Sequence, residues 1–163
     1  MLGRCALVVV AVLVTASAAA EAGQKSGEWI VTTRMFMKGL PAEQVEMMKQ
    51  AGMAGMITGE PRVAKQCVTP AEAAKGLDFD MGADSGCRLA NKVVTDTKMS
   101  ADMICSGPDM KGKGHMQMAL SGDSAYSGNW TVDVIDQDGH PVQQEVQFSG
   151  QWSKATCEAG AKK

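Results

Sequence analysis

An all-β fold is the expectation for this chain: an antiparallel meander of seven or eight strands forming a curved sheet or an incomplete up-and-down barrel, with one or two short helices. Three observations predict it. Apolar and polar residues alternate in several separate runs, which is the period of a half-buried strand. Turn residues recur between those runs. Finally, Cys87 and Cys105 stand equidistant from Asp96, as a hairpin closed by a bridge requires.

The elements follow in order. Gly27 to Lys38 places Trp29, Val31, Met35 and Met37 on one face and Glu28, Thr32, Arg34 and Lys38 on the other, so it reads as a first strand. Pro41 suits a first helical position, and Val45 and Met48 recur at helical spacing before Gly52, predicting a short amphipathic helix to Gln50. A Gly- and Met-rich stretch to Gly59 carries no periodicity and is expected to be mobile. Arg62 to Val68 reads as a strand. Thr69-Pro70-Ala71-Glu72 has the spacing of a capping box, which predicts a helix of about two turns ending at Gly76.

From Cys87 onward the chain reads as strands alone. A turn at Thr95-Asp96-Thr97 sets Leu89 against Met103 and Val93 against Met99, so the apolar residues share the face that carries both cysteines. A loop centred on Asp123 sets Leu120 against Tyr126 and Met116 against Trp130. Pairing Val134 with Val142 and Trp130 with Val146 requires a three-residue loop, Gln137-Asp138-Gly139, with Gly139 in the left-handed conformation. Phe148 extends that face, and the last strand runs through Trp152 towards Cys157.

The ends bear on compartment. Met1 to Ala22 has Arg4, then an apolar run from Ala6 to Val14, then small residues, which is the layout of a secretory signal cleaved after Ala20 or Ala22. The run is shorter than the roughly 20 apolar residues that a membrane span needs. The expected organisation is a signal over 1–22, a single disulfide-bonded β domain over 23–157 and a disordered tail over 158–163. The chain has 163 residues with 16 basic and 18 acidic side chains, a net charge of −2, which points away from nucleic acid and anionic membrane surfaces. An exported, soluble, monomeric protein is the expectation.

Four cysteines remain beyond the signal, and an exported domain holds such a set as two disulfides. With Cys87 joined to Cys105 by the hairpin, Cys67 is left to pair with Cys157.

Several residues, taken in order, resemble a known family: the strand Gly27-Glu28-Trp29-Ile30-Val31-Thr32-Thr33, a Met- and Gly-rich insertion, and Cys67-Val68-Thr69-Pro70 with Glu72. Two mid-chain cysteines, Tyr126-Ser127-Gly128, and Gly150-Gln151-Trp152 leading to Cys157 complete the series. The mature chain is similar to the bacterial exported proteins grouped as domain of unknown function 3617. It departs from them in the insertion, where Met-Pro units give way to the helix-like Pro41 to Gln50. The resemblance implies fold and a periplasmic location, and carries no activity.

Candidate chemistry rests on a few residues. A curved sheet lined by Trp29, Met35, Met37, Met118, Tyr126, Trp130 and Phe148 offers a candidate site for a small apolar ligand, but with few aromatics and many flexible methionines the favoured outcome is that these side chains fill the interior. Thirteen methionines are an excess, and thioethers are soft ligands suited to Cu(I). Met47, Met48, Met53 and Met56 are the candidate copper ligands; adaptable core filling is the competing role. His115 points away from Met116 and Met118. Asp78, Asp80 and Asp84 lie in one loop but lack the distal Glu of an EF-hand, so they read as a solvated loop.

His115 and His140 are the only imidazole bases, and no nucleophile elbow, zinc-protease helix, phosphate loop or Cys-x-x-Cys motif occurs. The Asn129-Trp130-Thr131 sequon falls inside a predicted strand and reads as chance. A non-catalytic binding or envelope accessory domain without a cofactor is the expectation, acting on a small apolar ligand or a protein partner, with methionine-mediated copper binding as the alternative.

Overall fold

A computed structural model describes residues 23–77, 81, 86–107, 111–135 and 139–158. The signal segment, the loop aspartates Asp78, Asp80 and Asp84, and the turn residues Gln137 and Asp138 lie outside the described residues. The elements are β1 (Gly27–Lys38), α1 (Ala42–Gln50), α2 (Gly55–Thr58), β2 (Arg62–Val68), α3 (Pro70–Ala73), β3 (Cys87–Val94), β4 (Lys98–Ser106), β5 (Lys111–Ser121), β6 (Ala125–Ile135) and β7 (Pro141–Lys154).

The seven strands make one open antiparallel sheet in the order β2-β1-β7-β6-β5-β4-β3. Strands β3 to β7 form the meander, and β1 docks against β7 so that the first and last strands meet. Six antiparallel steps separate the two edges, so β2 and β3 point the same way. Parallel strands cannot be joined by a tight turn, and the chain between them must cross over the sheet. That crossover carries α3, Leu77 and Met81. Leu77 is 3% exposed and packs with Met99, Met103, Met116 and Met118, which shows that the crossover lies on the apolar face.

Alternation assigns the two faces. The apolar face is continuous from Cys105, Val132, Val134 and Val142 at one end, through the methionine layer, to Trp29, Val68 and Ala73 at the other. Two glycines make room on it. A Cβ at Gly150 would stand 2.2 Å from the Tyr126 ring, and one at Gly128 would stand 2.4 Å from Phe148. Each ring therefore lies across the backbone of the neighbouring strand, where any other residue would displace it. Tyr126 in this way reaches Trp29 two strands away, with ring centroids 5.4 Å apart.

Both later hairpins pair as the alternation predicts, with Met116 opposite Trp130, Leu120 opposite Tyr126, and Val134 opposite Val142. Gly139 takes a φ of +87°. The cystine hairpin differs. Its register holds from Cys87–Cys105 to Ala90–Asp102, then shifts by one, so that Val93 faces Ser100 and Val94 faces Met99. Asn91 sits at a φ of 50°, which creates a bulge and inserts one extra residue into β3. The turn accordingly tightens, Thr95 N–H bonding to Lys98 O at 2.8 Å, and Val93 is left 60% exposed.

The helices number three among the described residues rather than one or two. Helix α2 occupies part of the stretch expected to lack regular structure; Phe36 bridges to Thr58 and its ring lies against Gly59, anchoring the insertion on β1. Helix α3 has the predicted capping box, with Glu72 N donating to Thr69 Oγ1 at 3.2 Å and Thr69 N to Glu72 Oε2 at 2.8 Å. It is one turn long, not two. Its continuation tightens to i→i−3 bonds at Lys75 and Gly76, and Gly76 enters the left-handed region that ends it.

Candidate functional site

The seven side chains expected to line an apolar ligand site pack mainly against each other and their neighbours. Trp29 is fully buried and its indole N–H donates to Lys25 O at 2.9 Å. Tyr126, Trp130 and Phe148 lie on the methionine layer beside the buried Met118, and burial pushes the Tyr126 phenol above its ordinary value. Met37 joins the valine cluster, and the Met35 sulfur receives Gln144 Nε2 at 3.2 Å.

The larger opening lies on the other face. A groove of about 770 Å³ crosses the polar side of the sheet. Cross-strand register gives it two ranks of side chains. One runs Ser100, Gln117, Asn129, Gln147, Arg34, and the next runs Lys98, Ala119, Ser127, Ser149, Thr32, each from β4 through β5, β6 and β7 to β1. Of the seven expected residues only Met118 and Phe148 contribute to its lining. Thr32, Ser100, Gln117, Ser127, Asn129 and Ser149 have side chains with no hydrogen-bond partner among the described residues. The charges at its margin are Lys98, Arg34, whose Nη1 donates to Gly59 O at 3.2 Å, and Glu145, which lies 3.6 Å from Lys38. What this surface can do chemically is donate and accept hydrogen bonds over several strands.

A second cluster was not evident from the pattern. Glu28 belongs to the polar face, yet it is 1% exposed. Its carboxylate stands 3.8 Å from Lys65 Nζ and 3.7 Å from Lys154 Nζ, and it accepts the backbone N–H of Glu158 at 3.2 Å. The Glu158 carboxylate binds both lysines in turn, with Lys65 at 2.6 Å. Hydrogen bonds from Lys154 and then Lys65 hold Glu158 down at about 2, and the bond to Glu158 raises Lys65. Glu158, the first residue of the expected tail, is thus fixed to the sheet. Two disulfides complete the frame, Cys67–Cys157 beside this cluster and Cys87–Cys105 in the β3–β4 hairpin.

The candidate copper ligands sit on the helical insertion. Met47 and Met53 are exposed and Met48 and Met56 half-buried; backbone bonds link Met53 N to Met48 O and Met56 N to Met53 O. Helix α1 buries no residue. His115 faces Asp102 across β4 and β5 with Nδ1 at 3.3 Å from Oδ1, and both are about half exposed. The Asn91 amide, and after it His115, lowers Asp102. Neither lines the groove. No group of three or more His, Cys, Asp or Glu arranged for a metal occurs among the described residues, and no described helix is long and apolar enough to cross a membrane.

These features define a disulfide-framed all-β domain, packed on its apolar face and open on its polar one. The chain belongs to the family described as protein of unknown function (DUF3617), which matches it over residues 24–157. No curated protein and no solved structure matches the chain.

Proposed function

We propose that this is an exported, non-catalytic binding domain of the periplasm, and that its ligand is polar and meets the two ranks of hydroxyl and amide side chains rather than the apolar layer. The observation that carries the reading is the 770 Å³ groove in which Thr32, Ser100, Gln117, Ser127, Asn129 and Ser149 have no side-chain partner among the described residues, set against an opposite face where the aromatic and methionine side chains pack on one another. Export is supported by the signal-like first 22 residues and by two disulfides, which persist in an oxidising compartment.

Native mass spectrometry of the protein released gently from the periplasm tests this against the Ser127→Trp variant, which fills the groove without touching the core. The wild type should carry an added mass that the variant lacks, and its chain should begin at Glu21 or Gly23. A lipid-sized adduct on both proteins would return the site to the apolar face. Copper binding through Met47, Met48, Met53 and Met56 is a second reading, favoured by four thioethers on an insertion whose first helix contributes nothing to the core. It predicts Cu(I) uptake that is lost when all four become Leu.

A further inference from the structure

The geometry points to Cys67–Cys157 as a site of thiol–disulfide exchange, a reducible latch acted on by a dithiol oxidoreductase, while Cys87–Cys105 is purely structural. The two bridges differ in access. Cys105 is 4% exposed and packs with Val132, Val134 and Val142, with Cys87 half-buried beside it, whereas Cys157 is exposed and Cys67 half-buried on the edge strand β2, so only the second bridge has an exposed cysteine. Exchange requires in-line approach of a thiolate to a sulfur, which the exposed Cys157 permits and the buried Cys105 does not.

The surrounding charges suit the reaction. Cys67 lies directly opposite Glu28 in the β1–β2 register, and Glu28 lies opposite Lys154 in the β1–β7 register, so Cys67, Lys65, Glu28 and Lys154 share one face. With the bridge closed, two lysines balance the carboxylates of Glu28 and Glu158. The attacking thiolate bonds to the Cys157 sulfur, the Cys67–Cys157 bond breaks, and its electron pair leaves as the Cys67 thiolate. The oxidoreductase's second thiol, deprotonated, then attacks the mixed disulfide, closing its own bridge and releasing Cys157. The oxidoreductase loses two electrons and the latch gains them, with two protons in all to the two cysteines once both thiols are neutral.

Strand β7 ends at Lys154, so residues 155–158 are then held by the ion pairs of Glu158 with Lys65 and Lys154 and by its N–H bond to Glu28. When they leave, the Glu158 carboxylate goes with them, and the Cys67 thiolate takes its place as the second anion facing Lys65 and Lys154. A cation beside a leaving thiolate favours its departure. Opening the latch therefore exposes the buried Glu28 at modest electrostatic cost and frees the chain end from the sheet edge.

The experiment treats the folded, oxidised protein with dithiothreitol in the absence of denaturant, quenches with iodoacetamide at intervals and maps alkylated peptides. Cys67 and Cys157 should be modified at least ten times faster than Cys87 and Cys105. The Lys65→Gln variant should narrow that ratio several-fold by slowing only the first pair. Equal rates for the two bridges would mean that reduction waits on global unfolding and would overturn the proposal. An unchanged ratio in Lys65→Gln would overturn the part assigned to the lysines.

Discussion

Replacing Cys67 and Cys157 together by alanine removes a bridge that closes a loop of 90 residues. The chain-entropy relation gives about 4.6 kcal/mol for such a loop and about 3.2 kcal/mol for one of 18 residues, the separation of Cys87 and Cys105. With an unfolding entropy of about 2.1 cal/mol/K per residue over residues 23–157, the first loss lowers the midpoint by roughly 16 °C. Urea unfolding at pH 7, followed by tryptophan fluorescence, measures it, because Trp29 is buried in the sheet that the bridge joins to the chain end. The structure adds a second contribution of the same sign, since Glu158 loses its tether and Glu28 its N–H donor. A loss below about 2 kcal/mol would refute the reasoning. It would mean that residues 155–158 stay docked through Lys65 and Lys154 without the bridge, or that the unfolded chain is already compact.

Glu28→Ala leaves the Glu158 N–H without its acceptor, while Lys65 and Lys154, each close to half exposed, keep Glu158 as a partner, so it should cost about 1 to 3 kcal/mol by denaturant unfolding, with Glu28→Gln costing less because the amide oxygen still accepts from Glu158 N. Gly150→Ala drives a methyl group into the Tyr126 ring and should cost about 1 to 3 kcal/mol, read from the same unfolding curve; pairing it with Tyr126→Leu should recover part of the loss. The pH dependence follows from two shifts. Glu158 is depressed to about 2 from 4.5, so the stability it brings is present above its ordinary value and lost as pH falls towards 2. Lys65 is raised above 10.5, so its share is present below that value and lost only as pH climbs past it. A carboxyl-detected NMR titration should therefore find Glu158 still ionised at pH 3; a midpoint near 4.5 would contradict the ion cluster.

The strand order of the meander was legible because alternation and turn chemistry agree there. Met116 shares a face with Trp130, and Val134 with Val142, in the register that the turn lengths set, and a slip of one residue would turn either set to water. The β3–β4 hairpin obeyed the same rule up to Ala90 and then escaped it, since Asn91 can enter the left-handed region locally and nothing in the alternation marks where an extra residue is absorbed. Glu28 read as a solvent-facing residue because its burial is created by partners up to 130 positions away, brought in by β7 and a disulfide. Alternation marks the polar positions one strand at a time. Their assembly into a groove depends on five strands lying side by side, and the docking of β1 against β7 that completes it is a contact between chain ends. The contact of Tyr126 with Trp29 turns on Gly150 letting one ring cross a strand, a local space that composition does not reveal.

The account stands on an apolar face that is filled. Methionine methyl NMR under xenon pressure tests that most directly, because xenon enters empty apolar cavities and leaves packed interiors alone. The resonances of Met99, Met103, Met116 and Met118 should show no saturable shift. A saturable shift confined to those four methyl groups would reveal a hollow interior and contradict the assignment of binding to the polar face.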